Sequence, residues 1–207
     1  RAKRLFVILP MRIFWNLAGV ACIFFFSCNG NNQQQPLTAV KDTAKTQAFF
    51  PVTSFLLGQL NEIDSMPVTP VKITSINGKT DSVWMKKQDI RAFAQPFLTP
   101  VIDSTSFTNL FSEKSFLDQT INAVTLTYDP KTNLPDSMHL NHWDVYINPQ
   151  KGTVQRIYMV KTQTANGENI TTQLTWEANK WCSIRTITEE NKLAPVVKEE
   201  LMKWQFD

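Results

Sequence analysis

The sequence predicts an α+β domain in which two or three helices pack on an antiparallel β-meander of five or more strands. Three observations lead there. Phe55, Leu56, Gln59, Leu60 and Ile63 recur at helical spacing within residues 51–65. From Ala123 onward the apolar period is two: Val124, Leu126 and Tyr128 alternate with Thr125 and Thr127. Short links rich in Gly and Asn then separate successive runs, and short links join antiparallel neighbours. Helices followed by a run of strands make an α+β pattern rather than a parallel one.

In chain order, Pro51–Ser65 is the first helix, capped by Thr53 or Ser54 and ended by Met66-Pro67 and Thr69-Pro70. Val71–Ile76 and Ser82–Lys87 flank Asn77-Gly78, a strong hairpin signal. Gln88–Leu98 is a short helix stopped near Pro96, and Thr105–Thr120 is a third, with Phe107, Leu110, Phe111, Leu117 and Ile121 on one face. A turn-rich loop, 129–136, follows the strand that begins at Ala123. Strands are then expected over Met138–Asn148, Val154–Thr164, Ile170–Glu177 and Trp181–Thr188. In the first of these Trp143, Val145 and Ile147 share one face, while His142, Asp144, Tyr146 and Asn148 share the other, polar one. Val196–Phe206 fits a strand or a helix equally.

The segment before this domain has a different character. Arg12 precedes the apolar run Ile13–Phe26, which Asn16 alone interrupts, and Ser27-Cys28 closes it before Asn29-Gly30-Asn31-Asn32-Gln33. A basic flank, an apolar stretch too short for a comfortable span and a small residue at its end make a secretory signal. The Phe-rich run ending in Ser-Cys resembles the lipobox of bacterial lipoproteins, in the looser form of Bacteroidota. Phe25 and Phe26 stand where the strict pattern prefers Leu and a small residue. The resemblance implies lipid attachment at Cys28 and cleavage before it. The expected organisation is therefore a signal peptide at 1–27, a lipidated cysteine with a flexible tether at 28–48, and one domain at 49–207. Residues 1–10 either extend the basic flank or lie upstream of a start at Met11. The tether is rich in Asn, Gln, Thr, Lys and Ala, too polar to offset its ordering entropy by burial.

Charge follows the same division. The chain has 21 basic and 18 acidic residues, for a net +3. Four of the basic residues and none of the acidic ones precede Cys28, so the remainder carries about −1. That balance gives no electrostatic footprint for nucleic acid. With Cys28 acylated and Cys22 in the leader, Cys182 has no disulfide partner and is expected to be a small core residue.

Catalytic signatures are sparse. His139 and His142 are the two histidines, with Asp136 and Asp144 close by. An offset of three on a strand sends the rings to opposite faces, so no metal ligand set is expected. Gly78-Lys79-Thr80 matches the end of a phosphate loop, but Ile73 stands where that loop needs glycine. Trp143, Trp176, Trp181 and Trp204 are expected in packing rather than on a sugar-binding platform. Five triplets repeat Asp followed by a hydroxyl residue, and they resemble the O-glycosylation signal of exported Bacteroidota proteins. The resemblance implies Thr43, Ser65, Ser82, Ser104 and Ser137 as acceptors, all in expected loops or element ends. The same triplets also suit turns and caps. The hairpin Trp143–Val154 resembles that of PepSY-type domains, with Asn148 where the pattern has Asp.

The expected function is a lipid-anchored protein of the cell envelope, at the outer membrane on its periplasmic or outer face. It would act as a binding or assembly module with an envelope protein or glycan as partner and no cofactor. The alternative is an envelope hydrolase whose site leaves no sequence motif.

Overall fold

The computed structural model describes residues 48–190 and 193–205. The leader at 1–27, Cys28, Thr43 and the tether up to residue 47 lie outside the described residues. The described elements, in order, are α1 (Val52–Ser65), β1 (Val71–Ile76), β2 (Lys79–Trp84), α2 (Lys87–Leu98), β3 (Phe111–Asp118), β4 (Ala123–Pro130), β5 (Leu140–Ile147), β6 (Val154–Ala165), β7 (Glu168–Glu177), β8 (Trp181–Glu189) and β9 (Val196–Lys203). These nine strands join one antiparallel sheet in the order β2-β1-β9-β8-β7-β6-β5-β4-β3. Strands β3 to β9 form an uninterrupted meander, and the β1–β2 hairpin extends it beyond β9. The described residues are thus mostly β with two helices, and no helix among them is long and apolar enough to cross a membrane.

The third expected helix does not form. Residues 105–110 make turns, with Phe107 at φ 62, and Phe111–Asp118 is strand β3. Its eight residues pair in register with all of β4, from Phe111↔Pro130 to Asp118↔Ala123. Helix propensity is a weak prior, and a full ladder against a neighbouring strand overrides it. Three smaller expectations also shift. Neither Thr53 nor Ser54 caps α1: Pro51 holds that position with no side-chain bond, and Thr53 Oγ1 instead accepts from the Ile102 amide at 2.8 Å. The first hairpin turns on two residues, Asn77 (φ 48) and Gly78 (φ 84), so β2 begins at Lys79 rather than Ser82. Both positive φ values suit the primed turn that matches strand twist. Helix α2 runs two residues past Pro96. A proline in the last turn forfeits only one backbone bond, and the Lys161 ammonium donates to the carbonyls of Pro96 and Thr99 there. The ambiguous stretch at 196–206 contains strand β9.

Both helices cover one face of the sheet. Val52, Leu56, Leu60 and Ile63 of α1 and Ile90, Ala94 and Phe97 of α2 are buried against it. The sheet supplies two rows of cross-strand neighbours, Trp143–Met159–Leu174–Ile184 and Val145–Ile157–Trp176–Cys182–Met202. Aromatic rings fill the centre: Tyr128 stacks on Trp143 with centroids 4.6 Å apart, and Phe97 meets Trp176 edge-on at 5.3 Å. Trp143, Trp176 and Trp204 are buried in this core, while Trp181 is half-buried. Cys182 is buried as a free thiol, and burial raises its pKa well above the ordinary value.

Gln59 is the polar member of the α1 stripe and it has a specific task. Its Oε1 accepts from the Asn179 amide at 2.8 Å, and its Nε2 donates to Asn179 Oδ1 at 3.0 Å. The amide side chain thereby clamps α1 to the β7–β8 turn, where Asn179 sits at φ 64. Gln59→Leu should cost about 1–3 kcal/mol, because it leaves the Asn179 amide without its partner. Urea titration of the variant measures this, and a change below about 0.5 kcal/mol would exclude the clamp.

Candidate binding groove

The strands outreach the helices. Helix α2, at 12 residues, spans about 18 Å. Strand β6, also 12 residues, spans about 40 Å. One end of the helix-facing sheet surface is therefore left without a helix over it. The loops 99–110 and 134–139 partly roof that end and enclose a cavity of about 530 Å³. Its apolar walls are Pro96, Pro100, Phe107, Met138, Ile170 and Ile184. A broader depression of about 820 Å³ adjoins it and shares Met138, His139, Thr162, Gln163 and Ile170 as a common wall. Ligand sites of this kind are mostly apolar clefts of about 300–1,000 Å³ with a few convergent polar groups.

Lys161 stands in the wall of the smaller cavity. It follows Ile157 and Met159 along the helix-facing side of β6, at the position where the helix layer ends. Two of its three donors go to the Pro96 and Thr99 carbonyls, close to the negative end of the α2 dipole. Burial pushes its pKa down to about 8. No carboxylate pairs with it among the described residues, and none of the 14 residues lining the cavity is acidic.

The loop in front of β5 and the start of that strand are held to Thr162 of β6. Strand β5 carries a bulge between Leu140 and His142, so Leu140 and Trp143 both reach the core despite their odd spacing. Asn141, the extra residue, accepts from the Thr162 amide at 2.9 Å and hydroxyl at 2.8 Å. The Thr162 amide also donates to the His139 carbonyl at 2.8 Å. His139 lines both depressions, and Asp136 and Ser137 line one each.

His142 lies elsewhere, on the open face of the sheet, and does not join His139. Its Nδ1 is 2.9 Å from Asp129 Oδ1 and its Nε2 is 3.1 Å from Asp144 Oδ2. A carboxylate oxygen within hydrogen-bond distance of each nitrogen favours the doubly protonated ring. The Asp144 bond is the main cause of a raised His142 pKa; burial opposes it and Asp129 adds to it. Burial works against ionisation of Asp129 and Asp144. The bonds from His142, with Lys114 at Asp129 and Thr127 at Asp144, outweigh it and hold both carboxyls below their usual range. Thr127 Oγ1 donates to Asp144 Oδ1 at 2.7 Å and the Tyr146 hydroxyl to Asp144 Oδ2 at 3.2 Å. A ring engaged by a carboxylate at each nitrogen presents neither nitrogen to a substrate or a metal. Among the described residues no group of three or more His, Cys, Asp or Glu is placed to hold a metal ion.

The four described hydroxyl residues of the Asp-Ser and Asp-Thr pattern occupy different settings. Ser65 is exposed at the end of α1, where its Oγ donates to the Glu62 carbonyl at 2.7 Å. Ser137 is exposed in the groove loop. Ser82 is exposed but lies within strand β2 rather than at an element end. Ser104 is half-buried and its carbonyl accepts from the Phe49 amide at 2.8 Å. Asp103 beside it accepts from the amides of Thr105 and Ser106 at 2.8 and 2.7 Å, which holds its pKa down at about 2. That triplet forms a turn.

The β5–β6 hairpin turns through Asn148, whose Oδ1 accepts from the amides of Gln150 and Lys151 at 3.0 and 2.9 Å. An aspartate would serve there equally, since either carbonyl-type oxygen accepts those bonds. No family model, curated protein or solved structure matches this chain.

Proposed function

We propose that this chain is a lipid-anchored protein of the cell envelope, held at the outer membrane through acylated Cys28, and that its domain is a binding module. The leader carries the first half: Arg12, the run Ile13–Phe26 and Ser27-Cys28. The observation that carries the second half is the cavity at the end of α2, apolar on most sides and opening beside the 134–139 loop. The binding reading is favoured over the hydrolase because the ring best placed among acids, His142, is tied at both nitrogens.

Two experiments test the halves separately. In the native host Cys28→Ala should move the protein from the membrane fraction to the soluble one, or leave it unprocessed; identical fractionation of mutant and wild type would remove the anchor. For the groove, methyl-labelled methionine spectra of the full chain in lipid nanodiscs would be followed as dodecanol is added. The Met138 signal should shift and saturate while buried Met85 and Met202 stay unmoved. Thr172→Trp, which places a large ring in the cavity, should abolish the shift. A Met138 signal that does not respond would overturn the groove.

A further inference from the structure

We infer that the ligand of this cavity is an amphiphilic monoanion, an aliphatic body with a carboxylate head that pairs with Lys161. This rests on the groove being a binding site and adds the chemistry of its occupant. Among the described residues Lys161 has no compensating carboxylate. Lys161 carries an ammonium group into an apolar recess, and its two protein acceptors, the Pro96 and Thr99 carbonyls, are neutral. Charges withdrawn from water in folded proteins are ordinarily paired, and Lys161 is half-buried. Here burial acts alone on the group, with no carboxylate opposing it, and its pKa falls to about 8. The other titratable group at the cavity is His139; Asp136 belongs to the adjoining depression.

Geometry then selects the ligand. An ammonium has three donors, and two are engaged, so one N–H remains for an incoming acceptor. One cation and one donor suit one negative charge. A dianion such as a phosphate monoester would leave charge unpaired in the same apolar walls. Most of the lining surface is apolar, from Phe107, Met138, Ile170 and Ile184, with hydroxyls of Ser137, Thr172 and Thr186 between them, and such walls suit a hydrocarbon body. The wider neighbouring depression, lined by Asn141, Thr164 and Asn169, gives the cavity a polar mouth.

The test compares dodecanoate, dodecanol and dodecyl phosphate, which share a chain and differ in head group. Each is titrated into the full chain in nanodiscs, with the Met138 methyl signal as readout. Dodecanoate should bind about tenfold or more tightly than dodecanol, the gain expected from one hydrogen bond to a charged group. Lys161→Met should remove that preference without abolishing dodecanol binding, and Lys161→Arg should retain it. In wild type at pH 8.5 the ε-carbon signal of Lys161 should move toward its charged position with dodecanoate and stay in place with dodecanol. This last reading decides the matter even if Lys161→Met fails to fold. Equal affinity for dodecanoate and dodecanol would overturn the anion and leave the groove standing. A preference that survives Lys161→Met would overturn the role of Lys161, and tighter binding of dodecyl phosphate would overturn the carboxylate. If none of the three moves Met138, the groove falls as well.

Discussion

Trp143→Ala should lower folding stability by about 3–5 kcal/mol, the range for a fully buried large aromatic residue. Trp143 is 0% exposed and lies at the meeting point of three elements. Tyr128 stacks on it with an interplanar angle of 9°, Phe111 lies 4.7 Å away and Phe49 meets it edge-on at 6.1 Å. Removing the indole leaves a void bounded by strands β3, β4 and β5, and their ladder prevents collapse into it. The cavity term therefore adds to the transfer term. The indole Nε1 has no hydrogen-bond partner among the described residues. Trp143→Phe thus discards no bond and should cost markedly less than alanine. Urea unfolding of the three proteins gives the comparison. A loss for Trp143→Ala below about 1.5 kcal/mol would mean that this cluster is not the centre of the fold.

The second large effect is the pH response of the Asp129–His142–Asp144 group. His142 has a raised pKa in the folded protein. Its pairing therefore contributes fully below the unfolded value of about 6.5 and is lost as pH rises through the raised native value. The same bonds lower Asp129 and Asp144. Their contribution is present above the unfolded carboxylate value of about 3.9 and is lost as pH falls through the lowered native values. Stability from this group should be largest between about pH 4 and 6.5. His142→Gln should cost about 2 kcal/mol at pH 5.5, less than for a fully buried pair because the imidazole side chain is 28% exposed. The gap between variant and wild type should narrow as pH rises above about 6.5. Chemical denaturation at several pH values measures it, and a gap that stays constant would show that His142 is held neutral.

Legibility in the sequence followed the range of the interactions. Helix α1, the Asn77-Gly78 turn and strands β4 to β8 were readable because apolar period and turn chemistry are local. Strand β3 was not. Phe107, Leu110, Phe111 and Leu117 mimic a helical stripe, and only the partner strand, eight registered pairs long, reveals the extended form. The spacing of His139 and His142 implies opposite faces of a regular strand, whereas the bulge at Asn141 shifts the register of β5 before His142. Asp129, 13 residues from His142, reaches it across the β4–β5 ladder, and no spacing rule in the chain announces that. Lys161 gave no signal either: it is one lysine in an alternating strand, and its setting depends on where α2 stops.

By itself the sequence determined the apolar run with its Ser-Cys end, the near-neutral charge of the chain from Cys28 onward, and the helices and hairpins whose residues contact near neighbours. Those features need only a few consecutive side chains to be favourable. Tertiary structure alone decided that the nine described strands join into one sheet, that α1 and α2 are too short to cover it, and that a lysine with no counter-ion among the described residues stands in the gap. Each of these arises from a mismatch between elements distant along the chain, so it exists only once they pack.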